Sequence, residues 1–155
     1  ASPMGKYQIR MFLSNQWIGA LQGADVLKSL TVDGLQKNYI FFAGELNKSR
    51  KESPYDFQAR IRLGQLYNSW GFFDPSKLEL AEQVFNEARD LSPQNPQPYW
   101  ELAQTRIEQK RADEAYTLVK QAYDLYPNNP KAKAALEKIE QAMASSTIET
   151  VIGGE

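Results

Sequence analysis

Carboxylates are the residues of this sequence with the widest chemical reach, because imidazole and thiol are both missing. Nineteen Asp and Glu stand in a chain of 155 residues that contains no histidine and no cysteine. Without imidazole the commonest general base and metal ligand is gone, and without a thiol there is neither a sulfur nucleophile nor a disulfide framework. Two neighbouring carboxylates could still divide acid and base roles. Pairs such as Glu79 with Glu82, or Asp113 with Glu114, nevertheless fall where helical segments begin, and there negative charge serves solvation and complements the helix dipole. The stretch ADEAY at Ala112 lacks the closely spaced oxygen ligands and the glycine turn of a calcium loop. Neither catalysis nor a metal nor a cofactor is therefore expected, and the chemistry to look for is binding.

The elements that would carry a binding surface are helices. Proline follows a good capping residue four times, at Ser53-Pro54, Asp74-Pro75, Asn95-Pro96 and Asn129-Pro130. The polar side chain can accept from an orphan N–H of the first turn, and proline suits the first helical position. Behind these marks the apolar residues recur at helical spacing: Leu63, Leu66, Tyr67 and Trp70, then Leu78, Ala81, Phe85, Ala88 and Leu91. Leu102, Ala103 and Ile107 follow, then Ala115, Leu118, Val119, Ala122 and Leu125, then Ala132, Ala135, Leu136, Ile139 and Met143. Upstream, Ile9, Phe12, Leu13, Gln16, Trp17 and Ala20 line one face of a first helix, and a longer helix over about 33–51 carries Leu35, Tyr39, Phe42 and Leu46. The pattern predicts an all-α chain of about seven helices with no strand.

Two turns are nearly identical: LSPQNP from Leu91 and LYPNNP from Leu125 place Pro93 and Pro127 34 positions apart. A fixed period of that length with helices between is the mark of a stacked helical repeat. Leu63-Gly64 with Tyr67, Ala81, Phe85, Ala88 and Pro93 resembles the tetratricopeptide repeat, and so do Tyr99, Leu102, Ala103, Ala115, Val119, Ala122 and Pro127. The second set departs at Arg106, where an aromatic is usual, and at Lys110, where glycine is usual. The resemblance implies a short right-handed α-solenoid of antiparallel helix pairs. Its divisions are a divergent pair over 1–56, a repeat with a lengthened inter-helix loop over 57–95, a repeat over 96–129, a capping helix over 130–144 and a flexible tail over 145–155. In the divergent pair Leu46, Ser49 and Pro54 fall in register, while Phe42 stands where alanine is usual. Small residues at 81, 88, 115 and 122 let paired helices approach closely.

The resemblance also places partner-facing positions on the first helix of each pair: Gln58, Ile61, Arg62, Gln65, Asn68 and Ser69, then Gln97, Trp100, Glu101, Gln104 and Glu108, then Lys131, Ala134 and Lys138. Of these, Gln58, Arg62, Gln65, Asn68, Gln97, Trp100, Gln104, Lys131 and Lys138 are the candidate contacts for a protein or peptide segment. Trp100 is the apolar anchor if its indole points to the groove, and a packing residue if it lies on a neighbouring helix. Repeat domains that read chaperone tails hold a terminal carboxylate with polar residues where this chain has Ile61, Gln65 and Trp100, so that ligand class is not expected. Phe72 and Phe73 form either an interaction knob or a cover over the adjacent helix ends. PYDFQARIRLGQLYNSWG followed by DPSKLELAEQVFNEARDLSP also resembles the soluble region that follows the membrane part of some bacterial O-antigen ligases and polymerases. That second resemblance implies tethering to a membrane protein and an alternative role as an accessory glycan- or partner-binding domain, with Trp17, Trp70 and Trp100 as candidate sugar platforms.

Composition agrees with a binding module. With 42% hydrophobic and 24% charged residues the chain can bury a core of globular size. A net charge of −1 with signs mixed along the chain leaves no basic stripe, so nucleic acid is not expected as a partner. No apolar run reaches the ~20 residues of a membrane span, and Ala1 to Gln8 has no signal-peptide pattern. The start ASPMGKYQ is that expected of a processed or excised chain, and a chain without thiols leaves the compartment open.

Overall fold

The structure, a computed structural model, describes residues 3–20, 31–130, 133–134, 136–137, 139–141 and 143. Lys131, Lys138 and the 145–155 tail lie outside the described residues. Six helices have defined limits: α1 Pro3–Ala20, α2 Val32–Glu52, α3 Phe57–Gly71, α4 Lys77–Leu91, α5 Gln97–Glu108 and α6 Ala112–Leu125. Every described residue from 130 to 143 is also helical, and no strand occurs among the described residues. The chain divides into two compact units, Ala1–Ser92 and Pro93–Glu155.

The first unit is built on the α3–α4 pair. Gly64 faces Phe85 and Gly71 faces Leu78, and a Cβ added at either glycine would lie 2.3 Å from the facing side chain. Seven positions forward on α3 thus correspond to seven positions back on α4, which is an antiparallel pair with two glycines on the contact face, two turns apart. Leu63, Leu66, Ala81, Val84, Phe85 and Ala88 are buried in this unit; each large side chain removed from water contributes about 1.5–3 kcal/mol. Polar ties lock α2 onto the pair: Glu87 holds Arg50 of α2 at 3.0 Å and Arg60 of α3 at 3.2 Å, and Asn47 Nδ2 donates to the Tyr67 hydroxyl at 3.1 Å.

Helix α1 turns a different face inward from the one its apolar spacing predicts. Ile9, Phe12 and Leu13, expected on the inner face, are exposed, whereas Ser14 is buried and Tyr7, Arg10, Met11, Trp17 and Ile18 are half-buried. The inner face is fixed by tethers and not by apolar count: the Tyr7 hydroxyl donates to Asp56, and Arg10 reaches Glu45 at 2.9 Å and Glu52 at 2.5 Å. Trp17 stacks on Phe42 of α2, with centroids 5.7 Å apart. Ala43, next to Phe42 in sequence, is buried.

Capping explains the helix starts. Asp56, not Ser53, caps α3, its Oδ1 accepting from the Ala59 N–H at 3.0 Å; Pro54 lies in the preceding turn. Asp74 Oδ1 accepts from both the N–H (3.1 Å) and the hydroxyl (2.6 Å) of Ser76, turning the chain into α4. Asn95 Oδ1 accepts from the Gln97 N–H at 2.9 Å as α5 begins.

In the second unit α5 packs on α6 around Ala103, Ala115 and Val119, with Trp100, Leu118, Leu136 and Ile139 against them. Between the two helices Lys110 has φ 61°, the left-handed conformation for which glycine is the usual choice. Arg106 spans the same end: it pairs with Glu114 at 3.2 Å and donates to Gln109 Oε1 at 2.8 Å. Its alkyl stem can cover apolar surface in place of the usual aromatic ring.

Candidate functional site

Spacing puts Gln58, Arg62, Gln65 and Asn68 on one face of α3. Gln58 is exposed, and Arg62, Gln65 and Asn68 are half-buried. Arg62 Nη1 donates to Gln65 Oε1 at 3.0 Å, so guanidinium and amide hold each other in place on that face. Ile61, one position off this stripe, is fully buried and belongs to the core; its assignment to the partner-facing set is corrected. On α5 the corresponding stripe is Gln97, Trp100 and Gln104, the first two half-buried and the last exposed. Gln104 Nε2 donates to Glu108 Oε1 at 2.8 Å.

Of the two readings of Trp100, the structure shows the packing one. Its ring packs against the Ala103–Ala115–Val119 cluster and yet keeps part of its surface open. A half-seated indole is a rigid apolar body, anchored from below by core packing, of the kind that makes an effective contact for an incoming side chain. Tyr99 serves the fold instead, its hydroxyl donating to the Pro93 carbonyl at 2.9 Å. Lys131 and Lys138 complete the candidate set and lie outside the described residues.

The other two tryptophans spend their rings on neighbours. Trp17 lies on Phe42. Trp70 is stacked by Tyr39 at 5.2 Å, flanked by Tyr67 at 6.4 Å, and has the Lys77 ammonium 4.9 Å from its centroid. The Phe72–Phe73 loop divides its roles: Phe73 leans on Tyr39, with centroids 6.4 Å apart, while Phe72 stands largely exposed.

Sequence reasoning misses a cavity of about 190 Å³ in the first unit. The start of α2 (Val32, Leu35, Gln36, Tyr39) and the turn after α3 (Trp70, Phe73, Asp74) line it. Asp74 is held below the ordinary carboxylate range by its hydrogen bonds from Ser76, then Lys77. In the sequence the cavity is visible only as scattered aromatics, and nothing in their local spacing ties residue 39 to residue 70. Among the described residues no group of Asp and Glu is placed to hold a metal ion, and no helix is long and apolar enough to cross a membrane.

The helix pairs and their spacing recur in known proteins. Residues 72–139 match the tetratricopeptide repeat family. No curated protein sequence matches the chain. Among solved structures, the first TPR domain of human RPAP3 superposes with a TM-score of 0.67 at 21% identity, covering 90% of this chain and 93% of that one. The first TPR of Spaghetti (RPAP3), bound to the HSP90 peptide SRMEEVD, gives 0.64 at 21% identity, covering 90% and 94%. The Yersinia enterocolitica type III secretion translocator chaperone SycD gives 0.65 at 14% identity, covering 97% and 96%. The fold is that of a tetratricopeptide-repeat domain.

Proposed function

We propose that this chain is a non-catalytic protein–protein interaction module whose first helices present a peptide-binding surface. The contacts are Gln58, Arg62, Gln65 and Asn68 on α3 of the first unit and, each unit taken by itself, Gln97, Trp100 and Gln104 on α5 of the second, with Lys131 and Lys138 as the further candidates read from the sequence. The observation that carries the reading is the polar stripe on α3, where Arg62, Gln65 and Asn68 stand half-buried beside a buried apolar face, together with the half-open indole of Trp100 on α5. Amides donate and accept at once, which suits the N–H and C=O groups of an extended segment, and a rigid aromatic supplies the anchor. The peptide held by the TPR of Spaghetti supports the same use of this fold, although fold alone does not decide function.

The O-antigen ligase resemblance supports a second setting, in which the module is the accessory domain of a membrane polysaccharide enzyme, tethered through its parent and binding glycan or a partner. The occupied rings of Trp17 and Trp70 favour peptide over sugar within that setting too. Screening the chain against a displayed peptide library and a glycan array separates the two: the proposal expects a saturable peptide ligand and no glycan, and a glycan captured with no peptide ligand would replace it.

A further inference from the structure

The aromatic loop between α3 and α4 takes no part in the peptide-binding surface, and it lies beside the cavity of the first unit. Phe72 is 79% exposed, and its ring makes an edge contact with Phe73, centroids 5.2 Å apart. Phe73 itself lines the cavity and is 52% exposed, and Val32, which lines it from the start of α2, is 84% exposed. A projecting ring and a ring-sized hole therefore stand next to each other on one surface of the first unit. An apolar cavity of about 150 Å³ is enough to hold benzene, so 190 Å³ accommodates a phenyl side chain. Five of the seven lining residues suit that occupant: Leu35 and Val32 are aliphatic, and Tyr39, Trp70 and Phe73 offer ring contacts, while Gln36 and Asp74 supply the polar part of the lining. Trp70 and Tyr39 are already stacked on each other, which fixes this wall before anything enters.

Knob beside hole is the arrangement that a two-fold contact requires, because an isologous interface must carry both complementary parts on the same patch. We propose that two copies of this chain associate through this surface, Phe72 of each entering the cavity of the other. Phe72, Phe73 and Val32 offer roughly 400 Å² of apolar surface per copy, about half of the ~800 Å² per partner of a standard stable complex. The dimer is accordingly weak and reversible, formed at high local concentration, and it shares no residue with the peptide-binding set.

Sedimentation equilibrium of the full chain from about 10 μM to about 1 mM reads it directly. Wild type is expected to pass from monomer toward dimer over that range. Phe72→Ala, which removes the knob at an exposed site, and Val32→Trp, which fills the mouth at another, are each expected to weaken association at least tenfold while leaving the helical circular-dichroism signal unchanged. N-acetyl-L-phenylalaninamide at about 10 mM should compete with the wild-type dimer as a soluble stand-in for Phe72. A chain that stays monomeric throughout overturns the proposal. So does a dimer that survives Phe72→Ala and is lost instead on Phe12→Ala, which would place the contact on the exposed face of α1. Neither result bears on the peptide surface, since Trp100 and the amide set are untouched.

Discussion

Gly64 and Phe85 define how closely α3 and α4 approach: a Cβ at Gly64 would lie 2.3 Å from the Phe85 ring, and that ring is fully buried. Gly64→Ala must displace a ring that has no free space, at a cost of about 1–3 kcal/mol, against a helix-propensity gain of about 1 kcal/mol. A net loss is expected, read as a lower urea midpoint. Phe85→Leu in the same chain should relieve the clash, so the double variant should lose less than the sum of the two singles.

Lys110 holds φ 61°, a conformation that costs an ordinary residue about 1–2 kcal/mol. Lys110→Gly removes that cost and returns part of it as backbone entropy, so a gain of up to about 1 kcal/mol is expected in denaturant unfolding. A loss would mean that the lysine side chain contributes more than its backbone strain takes away.

Tyr7 ties α1 to the residue that caps α3. Burial, then its hydrogen bond to Asp56 and the charge of that carboxylate, push the phenol up from 10.0 to about 12. The folded state thus binds this proton more tightly than the unfolded chain does. The associated stability is fully present below pH 10 and is lost as pH rises through the window from 10 to about 12. Tyr7→Phe should flatten the decline of stability across that window, compared with wild type in alkaline urea titrations. Tyr39, raised in the same direction by burial, supplies the decline that remains.

What is legible in the sequence, and what is not, divides along the range of the forces involved. The turns at Pro93 and Pro127, the small residues of α4 and α6 and the misfit glycine position at Lys110 are local signals, and the structure carries each of them. The inner face of α1 is not legible, because Tyr7 and Arg10 turn toward Asp56, Glu45 and Glu52, partners 35 to 49 positions away that no helical spacing reveals. Ser53-Pro54 reads as a helix start because the motif is sound, but Asp56 offers a cap closer to the first buried residues of α3. At the candidate site, repeat register marks α3 and α5, yet Ile61 lies one position off the polar stripe of α3 and is buried. The register identifies a helix; the rotation of that helix against its neighbours decides which side chains reach solvent.

Ligand chemistry follows from the same face. Ile61 is core, and Gln65 and Trp100 stand where polar clamps for a terminal carboxylate would be required. The acidic peptide SRMEEVD, bound by the TPR of Spaghetti, is therefore expected to bind this chain no more tightly than about 1 mM in a calorimetric titration. A micromolar constant would show that other side chains hold the carboxylate.

The central claim, an extended segment anchored on Trp100, is tested most directly by titrating one library-selected peptide into wild type, Trp100→Ala and Trp100→Phe. Because the indole also packs on the α5–α6 core, the helical signal of each variant is recorded alongside, and Trp100→Phe keeps most of the packing. Loss of a buried anchor is worth roughly 2 kcal/mol or more, so Trp100→Ala should bind about thirtyfold more weakly with its helices intact, and Trp100→Phe should fall between. Equal affinity for wild type and a folded Trp100→Ala variant would contradict the account.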